Sequence, residues 1–182
     1  MKRFQGRIEH DKDTITLLFK VAYDTFEVKR ILIRFIIGVI MAILGLFGGF
    51  NHAIQGLLIM VGAWLIVSRD FPPKVRADRT LEERKQALPI LVSTFYDDRM
   101  ELSGEGRMTL RYKDFQYIVE ENDYLFLFLH KNSACMIDSK TLEPDSLEAF
   151  KDFVSRKTNL QWQSNISWFN MSLKELIQIL RR

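Results

Sequence analysis

The feature that most constrains this chain is an apolar stretch in its first half. From Phe35 to Ser68 there is no Asp, Glu, Lys or Arg, over 34 residues bounded by Arg34 and Arg69. As one α-helix the stretch would be about 50 Å long, against a hydrocarbon core of about 30 Å in a lipid bilayer. The stretch is therefore too long for a single straight crossing of a membrane.

The middle of the stretch contains the residues most prone to form a turn. Residues 48–52 read GGFNH, and paired glycines followed by Asn are typical of tight turns. The sequence therefore predicts a transmembrane helical hairpin over residues 31–69, with helices at 31–47 and 53–68. A hairpin core of a soluble protein is disfavoured, because both helices are apolar on all sides and leave no polar face for water.

The basic residues around the hairpin predict its orientation. Residues 1–34 carry eight Lys or Arg and residues 69–85 carry six, whereas the turn carries none. Because positively charged loops stay in the cytoplasm, both termini of this multi-pass protein should be cytoplasmic. The residues expected to contact lipid headgroups are Lys29, Arg30, Arg34, Arg69, Lys74 and Arg76.

Small residues recur along both predicted helices at helical spacing. They are Gly38, Ala42, Gly45 and Gly49 on the first, and Ala53, Gly56 and Ala63 on the second. Facing stripes of small residues let two helix backbones approach closely, so we expect these stripes to pack against each other. The alternative is a homodimer seam made from the GxxxG motif between Gly45 and Gly49.

Two cytoplasmic segments flank the hairpin. In residues 1–30 we expect a strand from Arg3 to Glu9 and an amphipathic helix from Asp13 that runs on into the first crossing, its apolar face covered by the soluble domain or by the bilayer. Residues 70–89 should form a connector helix, in which Thr80 and Glu83 make a capping-box pattern and Pro89 marks the end.

Residues 90–158 should form a β-rich domain closed by a helix. Short apolar or alternating runs separated by turn residues predict five or six antiparallel strands, with YLFLFL, residues 124–129, as a central strand because it is apolar on both faces. In the run PDSLEAFKDFVSRK, Phe150, Phe153 and Val154 share one face and predict the closing helix, with Asp145 as its cap. The fold class is therefore an α+β membrane protein.

The same region carries a family resemblance. The sequence FYDDRMEL, followed by YKDFQYIVEENDYLFLFLHKNSACMIDSKTL and the closing helix, resembles the C-terminal domain of the YcxB-like family of small bacterial membrane proteins. The likeness covers roughly residues 4–158. The resemblance implies a hairpin in the bacterial inner membrane and a cytoplasmic domain like a pleckstrin-homology barrel. It implies no catalytic residues.

The sequence offers little that favours catalysis or nucleic-acid binding. Its three histidines are far apart, no His or Cys pair has metal-ligand spacing, and Asp97 and Asp98 read as turn residues. Cys135 lies in an apolar run and is interpreted as a buried strand residue. Residues 89–145 carry a net charge of −5, which disfavours contact with phosphate backbones. We therefore expect no enzyme, no cofactor, no metal and no nucleic acid partner.

The last segment, residues 159–182, should be an amphipathic tail. Ser172 and Glu175 form a capping box before a helix with Leu173, Leu176 and Ile177 on one face. This helix could dock on its own domain, on lipid or on a partner protein. The sequence thus predicts a non-enzymatic membrane protein with the lipid bilayer as its partner and a cytoplasmic binding module for protein or lipid. The alternative is a homodimer or another homo-oligomeric accessory subunit of a membrane complex or transporter.

Overall fold

A computed structural model describes residues 1–83, 88, 90–104 and 106–164 as a mixed α+β fold. The helices are α1 (Lys12–Phe26), α2 (Val28–Phe47), α3 (His52–Val67), α4 (Phe71–Glu83) and α5 (Leu147–Thr158). The strands are β1 (Lys2–Glu9), β2 (Ile90–Tyr96), β3 (Met100–Ser103), β4 (Arg107–Leu110), β5 (Tyr117–Glu121), β6 (Tyr124–His130), β7 (Ser133–Asp138) and β8 (Trp162–Ser164). Six of these strands lie between residues 90 and 138, in the region where the sequence predicts five or six.

The strands form two four-stranded sheets. The first has the order β1-β2-β3-β4 and is antiparallel throughout. The second has the order β7-β6-β5-β8, in which β8 alone runs parallel to its neighbour. Gly6 of β1 lies against Ile137 of β7, so the two sheets approach each other here too closely for a side chain on β1 to fit.

The first strand belongs to this β-structure although it precedes the apolar helices. β1 pairs with β2 over nearly its whole length, from Lys2 opposite Tyr96 to Glu9 opposite Ile90. Helices α1 to α4 are therefore inserted between two neighbouring strands of one sheet. The sequence assigns residues 1–30 and 90–158 to separate segments, because the pairing of distant strands leaves no local pattern.

Strand β6 separates two hydrophobic cores. Leu125 and Leu127 point into the core shared by the two sheets and α5, where Phe150 is fully buried. Phe126 and Phe128 point to the opposite face of the sheet. The prediction of a central strand is confirmed, because β6 lies between β7 and β5 and is buried on both faces.

Helix α1 covers the outer face of the second sheet. It begins with a capping box between Asp11 and Thr14, and Val21 is fully buried against the second core. Of the two covers considered for its apolar face, the soluble domain is the one observed. The helix does not run unbroken into α2, because Glu27 has non-helical dihedral angles of φ −111° and ψ 19°.

Helix α3 continues into α4 through one 3-10 turn at Ser68–Asp70. The expected helix start at Thr80 is wrong, because Thr80 lies inside α4 and its hydroxyl donates to the Arg76 carbonyl at 2.9 Å. Pro72 and Pro73 stand in the first turn of α4, where backbone N–H groups have no helical partner and proline is tolerated. The expected end at Pro89 lies outside the described residues.

Helix α5 closes the core as predicted, with Phe150, Phe153 and Val154 buried. Its N-cap is Ser146, one residue after the predicted Asp145, and no side chain bonds the cap. Asn159 ends the helix in the left-handed conformation, with φ 58°, and β8 follows. The amphipathic helix predicted around Leu173 lies outside the described residues.

Candidate membrane interface and helix junction

Helices α2 and α3 form an antiparallel hairpin that leaves most of its apolar surface exposed. Both helical runs are long and apolar enough to span a membrane: the most apolar 18-residue window has a mean hydropathy of 2.3 within Val28–Phe47 and of 1.4 within the continuous run His52–Glu83. Only 22% and 6% of their most apolar windows are buried. A core helix of a soluble protein would be mostly buried, so the exposure argues against that alternative.

The turn of the hairpin is built by the residues expected there. Gly48 ends α2, and Gly49 adopts a positive φ of 65°, which a residue with a side chain rarely adopts. Asn51 caps α3, since its side-chain oxygen accepts a hydrogen bond from the Ile54 N–H at 3.0 Å. The polar group of Asn51 is therefore used by the backbone.

Small residues bring the two helix backbones together. A Cβ atom placed on Gly38 would lie 2.9 Å from the carbonyl oxygen of Gly62, and one on Gly62 would lie 2.6 Å from that of Gly38. A Cβ on Gly45 would meet the Ile59 side chain at 2.7 Å. These positions tolerate only glycine at the present separation of the helices, as in other close helix pairs.

The stripe predicted for α3 is on the wrong face. Ala53, Gly56 and Ala63 are exposed, and a Cβ on Gly56 would meet nothing within 4 Å. Gly62 is the buried small residue, and Gly49 belongs to the turn. The prediction is wrong because the surface of α3 that contacts α2 also includes Ile59, a large side chain that fills the space over Gly45. A search for small residues overlooks such a side chain.

The base of the hairpin is fixed by polar contacts. Arg34 donates from Nη2 to the Ser68 hydroxyl at 2.8 Å, which ties the start of α2 to the end of α3. Arg69 donates to Asp24 of α1 at 2.8 Å, and the Asp24 side chain is only 4% exposed. The two arginines lie at the same end of the hairpin, as the sequence predicts, but both are engaged by protein groups.

Glu27, at the break between α1 and α2, is the centre of a second ionic cluster. Its side chain is 4% exposed and is paired with Arg30 of α2 at 3.0 Å, with Arg76 of α4 at 4.0 Å and with Lys131 at the β6–β7 turn. Burial by itself would raise the pKa of Glu27. The hydrogen bond from Lys131 and the charges of Lys131, Arg30 and Arg76 outweigh burial, so the pKa lies below its usual value.

Of the six basic residues predicted to contact lipid, Arg34 and Arg69 bind side chains at the base of the hairpin, and the other four remain accessible. Lys29 and Lys74 are exposed, and the side chains of Arg30 and Arg76 stay 72% and 46% exposed although both pair with Glu27. Sequence reasoning missed Asp24, Glu27 and Lys131. Asp24 and Glu27 stand directly before a helix that begins with basic residues, and this pattern could have pointed to both. No local sequence pattern links Lys131 to either of them.

The other polar groups considered in the sequence have structural partners. Asp97 bonds Arg3, and that hydrogen bond holds the pKa of Asp97 below its usual value, unlike the raised pKa typical of a general acid. Cys135 is buried in β7, where burial raises its pKa to about 12. Within the described part of the chain, no group of three or more His, Cys, Asp or Glu is arranged to hold a metal ion.

Comparison with known protein families matches part of the chain. Residues 95–154 match the family model described as YcxB-like protein, a segment that runs from the end of β2 into α5. No curated protein and no solved structure matches the chain. The resemblance to the YcxB-like family is confirmed for residues 95–154, the part of the chain that builds most of the two sheets and the closing helix.

Proposed function

We propose that this chain is a non-enzymatic protein of a bacterial inner membrane, in which α2 and α3 cross the bilayer as a hairpin. The β-structure and both termini lie in the cytoplasm, where the domain binds a protein or lipid ligand beside the bilayer. The observation that carries the proposal is the exposed apolar surface of α2 and α3, whose base is joined by ionic contacts to a well-packed domain.

The order of the elements supports a binding module of the pleckstrin-homology type. Four antiparallel strands, β1 to β4, precede three more, β5 to β7, and α5 then covers the shared core. In this arrangement the membrane hairpin occupies the connection between the first two strands. A binding surface of the domain would therefore be held at a fixed distance from the bilayer.

Fractionation and labelling test the proposal. The full chain should sediment with membranes and require detergent for release. In spheroplasts, a membrane-impermeant maleimide should label Phe50→Cys in the turn but label Lys113→Cys on the domain only after lysis. The buried Cys135 should remain unlabelled in both. Chain found in the supernatant, or labelling of Lys113→Cys in intact spheroplasts, would refute the proposal.

A second candidate function, a homo-oligomeric accessory subunit, is favoured by one observation. The seam first considered, at Gly45 and Gly49, is not free, because Gly45 packs against α3. Ala53, Gly56 and Ala63 instead form a small-residue face of α3 that is exposed in the single chain. Crosslinking of Gly56→Cys between chains in membranes would support this candidate. A strictly monomeric chain would argue against it.

A further inference from the structure

Three cations from three separate elements converge on the single carboxylate of Glu27. Arg30 belongs to α2, Arg76 to α4 and Lys131 to the turn between β6 and β7. Each has its charged end within 4.0 Å of a Glu27 oxygen, so the three charges lie close together. One negative charge faces three positive charges, and the cluster keeps an excess of positive charge.

The excess charge is accessible from outside. Glu27 occupies the buried side of the cluster, whereas the side chains of Arg30, Arg76 and Lys131 are 72%, 46% and 39% exposed. An arginine has five N–H donors and a lysine three, and Glu27 cannot occupy them all. N–H donors that Glu27 does not occupy are therefore available to a second anion. The contacts with Glu27 would hold the three cations in position for it.

The position of the cluster indicates which anion it would meet. Glu27 directly precedes α2, and Lys29 and Lys74 are exposed nearby in sequence on the two helices that enter the apolar hairpin. If the hairpin crosses a bilayer, this collar lies at the level of the lipid headgroups. The groups of negative charge at that level are phosphates of anionic phospholipids, which basic residues beside a membrane attract.

We propose that Arg30, Arg76 and Lys131 form a binding site for the phosphate of an anionic phospholipid headgroup, with Glu27 holding the three cations in position. The site deepens the proposed function and rests on it, since it requires the hairpin to lie in a bilayer. Lys131 distinguishes this site from general attraction to the surface. It belongs to the domain, so a bound headgroup ties the β6–β7 turn to the membrane.

The test compares two substitutions that break the same ion pair. The full chain in nonionic detergent is titrated with phosphatidylglycerol carrying a fluorescent acyl chain. Lys131→Gln removes a cation and should weaken binding about fivefold, the effect of one charge near a lipid surface. Glu27→Gln keeps a side-chain oxygen that accepts hydrogen bonds from the three cations but removes the negative charge that competes with the phosphate, so it should strengthen binding. If the Glu27–Lys131 pair were only structural, both substitutions would change binding in the same direction, and that result would overturn the proposal.

Two controls separate the alternatives. Lys140→Gln removes a positive charge that is 70% exposed and follows β7 at the end opposite the β6–β7 turn, and should leave binding unchanged within about twofold, because exposed charges beyond a Debye length of about 8 Å are screened. Equally labelled phosphatidylcholine should bind more weakly than phosphatidylglycerol, and millimolar inorganic phosphate should not displace the lipid. Displacement by free phosphate would mean a site for soluble anions and would overturn the assignment to lipid.

Failure of the phosphate site and failure of the proposed function give different results. A chain that resides in membranes but binds both lipids equally refutes only the phosphate site. A chain that stays in the supernatant refutes the hairpin in the bilayer, and the site falls with it.

Discussion

The two halves of the helical insertion have opposite surroundings. Helices α1 and α4 pack on each other, and α1 buries residues such as Val21 against the second sheet. Helices α2 and α3 contact mainly each other, and Ile40 and Leu57 remain about half exposed. The division between the halves coincides with the buried acids Asp24 and Glu27. Apolar side chains are thus present in both halves, and what differs is whether the protein supplies their cover.

The largest expected difference concerns burial. Phe126 is fully buried between the second sheet and α1, and Phe126→Ala should lower the free energy of unfolding by about 3–5 kcal/mol through the loss of buried area and the cavity left behind. Phe47, at the end of α2, is 82% exposed, and Phe47→Ala should cost less than about 0.5 kcal/mol. Denaturant unfolding in detergent, followed by near-ultraviolet circular dichroism, measures both. Equal losses would show that the hairpin tip is packed against protein.

The ionic contacts between the halves should come next. Asp24→Asn leaves Arg69, whose side chain is 27% exposed, without its carboxylate, and should cost about 2–3 kcal/mol, somewhat below the range for a fully buried pair because water can still reach the guanidinium. The matched change Asp123→Asn removes an exposed pair with Lys140 and should cost at most about 1 kcal/mol. The same unfolding measurement applies, and a smaller loss for Asp24→Asn than for Asp123→Asn would contradict the structure of the junction.

Packing between α2 and α3, the two helices whose apolar side chains are exposed, gives a third comparison. Gly45→Leu places a side chain where a Cβ already meets Ile59 at 2.7 Å, and should separate α2 from α3 at a cost of about 1–3 kcal/mol. Gly56→Leu adds the same side chain on the exposed face of α3, where nothing lies within 4 Å, and should not affect the monomer. Thermal aggregation of the purified chain in detergent reports both. Aggregation of Gly56→Leu at a lower temperature than Gly45→Leu would reverse the assignment of the two faces.

The smallest effect is a pH dependence. The pKa of Glu27 is lower in the folded chain than its unfolded value of about 4.3, so the charged carboxylate stabilises the fold above that pH. This contribution is lost as the pH falls through the folded pKa. Midpoints of thermal unfolding at a series of pH values should therefore fall less steeply below about pH 5 in Glu27→Gln than in the unchanged chain. Glu148→Gln, whose side chain is 84% exposed, should keep the original slope.

Features written in short stretches of sequence were predictable. The uncharged residues 35–68 predict two helices, GGFNH predicts their turn, and the double-sided YLFLFL predicts an inner strand. Each depends on local composition or periodicity, which the chain expresses directly.

Features that depend on distant partners were not predictable. The pairing of β1 with β2, the parallel strand β8 within the expected tail and the contact of Lys131 with Glu27 join segments far apart in the chain. The face of α3 was misjudged for a related reason. Which side of a helix meets its neighbour depends on the rotation of the whole helix, and on α3 nearly every side is apolar.

The pairing of Glu9 with Ile90 has a consequence for the order of synthesis. β1 leaves the ribosome long before β2, so the first strand has no partner until the entire hairpin has been made. A hairpin that folds back on itself returns the chain to within one strand spacing of where it left, which lowers the entropic cost of joining the two strands. If the hairpin crosses a bilayer, completion of the sheet would report that both crossings are in place, and a chain whose second helix fails to insert would keep an unpaired strand exposed to chaperones and proteases.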